Sequence, residues 1–165
     1  MKYSLALAAL LGLTLAPAAY AQISCSEVRK IIADAEDDFD GITGAKIEED
    51  FYKATYNLTG AQECTVDNEF DSIYSCGYQY GPYSTAYSAW SSRLAEIGSC
   101  LSGWKVTGVP ADAKADDDGY RTLTGSLYEG SGDYEDLEWA VVLEEHTDTS
   151  GTHYHVWVEL AYYWF

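Results

Sequence analysis

From Trp139 to Phe165 the chain consists of two runs rich in β-branched and aromatic residues, separated by Thr147-Asp-Thr-Ser-Gly151. β-Branched and aromatic runs on either side of an Asp/Ser/Gly cluster predict a β-hairpin. The turn is either a central Thr149-Ser150 pair or a four-residue loop ending at Gly151, and both bring the same residues together. Because side chains alternate with period two, Trp139, Val141 and Leu143 share a face with Tyr154, Val156, Val158 and Leu160. That face is apolar throughout and has to be buried, so the rest of the chain must supply something to bury it against.

The other face of the hairpin collects Glu144, His146, His153 and His155, which include every histidine in the protein. Two imidazoles at His-x-His on one strand and a third across the pair can offer three nitrogen ligands, a set suited to Zn²⁺ or Cu²⁺. Glu144 then serves as a fourth ligand or orients an imidazole. The alternative is an ordinary polar sheet surface beside a turn. A second candidate is acidic: Asp112, Asp116-Asp117-Asp118 and Asp133/Glu135/Asp136 could present oxygens to Ca²⁺, but the EF-hand spacing is absent.

Upstream, Ser24-Cys-Ser-Glu27 is a capping box. The spacing of Cys25, Val28, Ile32, Ala35 and Phe39 behind it predicts a helix that Gly41 stops. Phe51–Leu58, Gln62–Asp67 and Ile73–Tyr80 then read as a three-stranded meander. A second helix follows Gly81-Pro82, with Tyr83, Tyr87, Trp90, Leu94, Ile97 and Leu101 as its apolar stripe. Trp104–Thr107 and Tyr120–Tyr128 are further strands, separated by the Gly108–Gly119 loop, which has the composition of a flexible segment. The expected fold class is α+β: an antiparallel sheet with two amphipathic helices packed on one face, in the order α-β-β-β-α-β-β-β-β. No internal repeat is visible.

The start of the chain indicates a compartment. Lys2, an apolar run from Leu5 to Leu15 and Ala19-x-Ala21 make residues 1–21 a signal peptide of bacterial type. Residues 22–165 are then one exported α+β domain, periplasmic or secreted, with no membrane span expected. In that setting four cysteines predict two structural disulfides, with three possible pairings; the neighbouring runs around Asp67–Asp71 favour Cys64 with Cys76, which leaves Cys25 with Cys100.

Charge narrows the partner. Nine Lys and Arg against 27 Asp and Glu give a formal net charge of −18. Such a surface repels nucleic acid and anionic lipid and attracts cationic proteins. No nucleophile elbow, zinc-protease, P-loop or dinucleotide motif is present, so no enzymatic role is expected. The sequence therefore predicts an exported acidic interaction domain that engages a basic protein partner, a profile shared by chaperone-like and toxin-neutralising proteins. A Zn²⁺- or Cu²⁺-binding protein using the histidine hairpin is the alternative.

Overall fold

In the computed structural model, which describes residues 21–163 apart from Phe70, Ser24 determines where regular structure begins. The Glu27 N–H donates to the Ser24 hydroxyl, and the Ser24 N–H donates back to the Glu27 carboxylate at 2.7 Å. Helix α1 (Cys25–Ala35) follows and buries Val28, Ile31 and Ala35. It ends before the expected stop at Gly41. Glu36, Asp37 and Asp38 come next, negative charges where the helix dipole is already negative, and the last turn carries no basic residue. Phe39 still reaches the core, but from a left-handed turn (φ 58°) beyond the helix.

Four strands follow: β1 (Thr43–Glu48), β2 (Phe51–Ala54), β3 (Glu63–Asp67) and β4 (Ser72–Tyr80). Then come α2 (Tyr83–Cys100), β5 (Lys105–Val109), β6 (Tyr120–Glu129), a 3-10 turn at Gly132–Tyr134, β7 (Leu137–Asp148) and β8 (Gly151–Tyr162). All eight strands form one sheet in the order β1-β2-β3-β4-β8-β7-β6-β5, antiparallel throughout. Strand β1 is additional to the expected order. With it, the chain reads as a helix followed by a four-stranded meander, twice, the meanders joined through their last strands. The two halves share this architecture without a shared sequence motif, so no repeat was visible in the residues.

The expected hairpin forms with a two-residue turn at Thr149-Ser150, pairing Asp148 with Gly151. The Asp148 carboxylate accepts from the Ser150 and Gly151 N–H groups, which fixes the turn. Trp139, Val141, Leu143, Val156, Val158 and Leu160 are fully buried. They share one core with Val28, Ile31, Ala86, Ala89 and Ile97 of the helices and Tyr74, Cys76 and Tyr78 of β4. Helix α2 buries Trp90, Ile97 and, at its C-cap, Leu101 as its apolar spacing suggests, but the start of that stripe is not in the core. Ala86, Ala89, Trp90, Arg93, Glu96 and Ile97 are buried, while Tyr83 and Tyr87 are nearly half exposed. The Trp90 indole donates to the Val141 carbonyl at 3.1 Å, which sets the helix at this rotation against β7.

Arg93 and Glu96, 2% and 7% exposed, form a buried ion pair at 2.7 Å. Its spare hydrogen-bonding capacity is used by the chain just ahead of α1: Arg93 also donates to the Ala21 carbonyl, and Glu96 accepts from the Ile23 N–H. The guanidinium also lies over the Tyr78 ring, 4.6 Å from its centroid. The expected leader, residues 1–21, lies outside the described residues except for Ala21.

Both expected disulfides are present. Cys64–Cys76 joins directly opposed residues of β3 and β4, with Cα atoms 4.2 Å apart. Cys25–Cys100 ties the start of α1 to the end of α2 across 75 residues. On loop entropy alone each is worth roughly 3 to 4.5 kcal/mol.

Removing one member of a buried pair leaves an uncompensated charge. Arg93→Ala or Glu96→Ala should therefore each lower the unfolding free energy by about 3–5 kcal/mol in urea titrations. The apolar double replacement Arg93→Met with Glu96→Leu should cost much less than the sum of the single changes.

Candidate functional site

On the side of the sheet opposite the apolar hairpin face, the register gathers residues that are far apart in sequence. Strand β2 presents Phe51, β3 presents Thr65 and Asp67, and β4 presents Ile73, Ser75 and Gly77. Strand β8 brings Trp157 and Glu159, β7 brings Val142 and Glu144, and β6 brings Tyr120. Two adjoining cavities open here. One, of about 480 Å³, is walled by Phe51, Tyr120 and Trp157 and carries Asp67, Asp116, Glu144 and Glu159. The other, of about 620 Å³, shares Phe51, Thr65 and Trp157 and extends to Ile47, Gln79 and His155. Both volumes are in the range of ligand sites. No helix residue lines either cavity.

Trp157 is the ridge between them. Its partner across the β4–β8 seam is Gly77, and a Cβ there would come within 2.8 Å of the indole. Only glycine lets the ring lie over the β4 backbone. The indole N–H donates to Glu144 at 2.8 Å, fixing the ring's rotation.

Each carboxylate of the first cavity is held, but none by a cation. Glu159 accepts from the Ser75 hydroxyl at 2.9 Å. Asp116 accepts from the Tyr120 and Asp118 N–H groups, and Asp67 from the Glu69 N–H. Ion pairs among the described residues engage Glu63, Glu96, Glu129, Glu145 and Asp148 and none of these four. Burial raises the Glu144 carboxyl above its ordinary value, against the lowering effect of the Trp157 bond, and Glu159, Asp116 and Asp112 add repulsion. Burial likewise raises Glu159, only partly offset by Ser75.

The acidic loop is more ordered than its composition suggests. Its backbone pairs with β6 through Asp112 N–H to Thr122 O and Asp116 N–H to Tyr120 O, while the Asp112 and Asp116 carboxylates cap Thr122 and Tyr120. Those bonds bring Asp116 to the rim of the cavity.

Glu144, His146, His153 and His155 lie on this same face, with Glu144 opposite His155 and His146 opposite His153. Their side chains are committed to separate neighbours. His153 Nε2 is 2.8 Å from the Ser150 hydroxyl. The His146 ring stacks on Tyr120 at 4.1 Å, and its centroid is 6.0 Å from that of His155. His155 Nε2 is buried with no hydrogen-bond partner among the described residues. Burial, then His146 and His153, lower its pKa and favour the neutral ring. Among the described residues no group of three His, Cys, Asp or Glu side chains is gathered as a metal site.

Trp157, Gly77 and Glu159 escaped the sequence reading as site residues. Glu159 was visible as the one charge in a strand ending of aromatic and apolar residues, but its neighbours Ser75 and Asp67 come from the other half of the chain.

No family model, curated protein or solved structure matches this chain.

A carboxyl with a raised pKa in the folded state binds more protons than in the unfolded chain. Its charge therefore subtracts stability as pH rises above the ordinary carboxylate value of about 4.5. Glu159→Gln should be more stable than the parent at pH 7 and should lose less stability between pH 4.5 and pH 7. Thermal melts across that range check the sign.

Proposed function

We propose that this is an exported acidic binding domain that engages a basic protein partner through the sheet face carrying Trp157, and that it acts by binding rather than catalysis. In this reading residues 1–21 are removed, residues 22–165 work in the periplasm or outside the cell, and both helices occupy the core side of the sheet. The carrying observation is a ligand-sized cavity with four carboxylates, three aromatic rings and no Lys or Arg in its walls. Aromatic residues anchor interfaces, and unpaired acidic groups steer cationic partners. Two disulfides suit an oxidising compartment. Among the described residues no helix is long and apolar enough to cross a membrane.

The abundance of tyrosine supports this reading less than composition suggests. Tyr74, Tyr78 and Tyr128 are core residues, with Tyr74 donating to the Tyr56 carbonyl and Tyr128 to that of Leu94. In the cavity a partner would meet Phe51, Tyr120 and Trp157, while Tyr83, Tyr87 and Tyr134 are exposed elsewhere.

Hexa-lysine titrated calorimetrically into the mature domain should bind at 20 mM NaCl and at least tenfold more weakly at 150 mM. The triple variant Asp116→Asn, Glu144→Gln, Glu159→Gln should lose most of that binding. Absence of binding at low salt, or binding insensitive to both changes, would overturn the proposal.

A second reading, Zn²⁺ or Cu²⁺ on the histidine hairpin, is favoured by one observation: Glu144 and all three imidazoles face the same side of β7–β8. Ligation by His153 Nε2 has to break the Ser150–His153 bond, while Glu144 can ligate through the carboxylate oxygen that Trp157 leaves free. Titration of metal-stripped protein should then give submicromolar Zn²⁺ or Cu²⁺ binding that is lost below about pH 6 and in His153→Ala and His155→Ala. Equal affinity in those variants would remove the site.

A further inference from the structure

We propose that the cavity beside Trp157 is a subsite for one arginine side chain of the protein partner, its guanidinium stacked on the indole and hydrogen-bonded to Glu144 and Glu159. The inference rests on the binding function proposed above and specifies which cation the face selects.

The floor comes first. Gly77 clears the space under the indole, and Glu144 holds its N–H edge, so the ring is a fixed flat surface before any partner arrives. A ring immobilised in advance loses little entropy when a partner stacks on it. Cations of the chain lie over Tyr56, Tyr52 and Tyr78, and none over Trp157 among the described residues.

The carboxylates flank that surface. Glu144 sits at the nitrogen edge of the indole. Glu159 is two residues along β8 from Trp157 on the same face, roughly 6–7 Å away by strand rise. Asp116 and Tyr120 form a further wall of the cavity. Glu144, Glu159 and Asp116 each hold a single kind of protein donor, an indole N–H, a hydroxyl or backbone N–H groups, and so keep acceptor capacity for a ligand.

This arrangement separates arginine from lysine. A guanidinium is planar and weakly hydrated, and it directs N–H groups outward in its own plane. It can lie flat on an indole while donating sideways to carboxylates. An ammonium is a compact, strongly hydrated point charge with three donors in a cone, so it cannot use the ring face and both flanking carboxylates equally well. The cavity of about 480 Å³ has room for the head group and its methylene stem.

The test compares hexa-arginine with hexa-lysine, equal in charge and length, by calorimetry on the mature, disulfide-bonded chain at 150 mM NaCl. Hexa-arginine should bind at least tenfold more tightly. In Trp157→Leu, checked by its circular dichroism melt, the ratio should fall to about threefold or less. Glu159→Gln should reduce it as well, and the parent ratio needs no variant to fold. Equal affinities of the two peptides in the parent, both salt-dependent, would overturn the arginine subsite while leaving the acidic binding face in place. Binding of neither peptide would remove both. Arginine amide is the final arm: if it binds as tightly as hexa-arginine, the cavity takes a free small guanidinium and the protein-borne arginine is wrong.

Discussion

The pairing of β4 with β8 is the interaction on which the rest of this structure depends. Nine consecutive residue pairs, from Ser72–Tyr162 to Tyr80–Tyr154, join two four-stranded meanders that have no other sheet contact. Neither half could bury its apolar face alone, since Tyr74, Cys76 and Tyr78 on one side of the seam complete the core built by Val156, Val158 and Leu160 on the other. The same seam brings Ser75 to Glu159 and Gly77 under Trp157 on the opposite face. Core and candidate site are thus two consequences of one register, and a slip of a single residue would exchange them.

Closing that seam brings together residues about eighty positions apart, and three further links that involve the helices do similar long-range work. Cys25–Cys100 joins the two helices. The buried Arg93–Glu96 pair of the second half holds the Ala21 carbonyl and Ile23 N–H of the first. Trp90 fixes α2 to the Val141 carbonyl of β7. A buried ion pair is weak evidence of stability in itself. Here its geometric effect is clearer, because each charged group binds backbone that would otherwise be the loose lead-in to α1.

The C-terminal hairpin was legible because two β-branched and aromatic runs adjacent in sequence flank an Asp/Ser/Gly turn, the capping box and Cys64–Cys76 were legible for similarly local reasons, and Cys25–Cys100 followed as the remaining pair. Strand β1 was not, since an edge strand reading Thr-Gly-Ala-Lys-Ile-Glu is mostly exposed and has no apolar alternation to reveal it. The inward face of α2 was misread because Tyr83 and Tyr87 look like core while Arg93 and Glu96 look like surface. Burial of the latter two depends on an ion pair and on backbone from residues 21–23, which helical spacing does not encode. The histidine hairpin was legible as a shared face, but not the neighbours that hold each side chain. The cavity was hidden for a different reason: Phe51, Asp67, Ser75, Asp116 and Trp157 become neighbours only after the seam forms, and no spacing rule connects them.

The uncompensated carboxylates of the open face work against folding. Glu144 and Glu159 are partly buried, repel one another and have no cationic partner among the described residues, so each opposes folding at neutral pH. A chain selected for stability alone would place a lysine or an apolar residue there. Two disulfides and the apolar side of the seam supply stability against this cost, and neither disulfide lines the cavity. A cation delivered by a partner would relieve the repulsion and favour the ionised carboxylates. In the proposed complex, binding and the protonation of Glu144 and Glu159 would therefore be linked: the charge that destabilises the free domain is the charge a bound cation would neutralise.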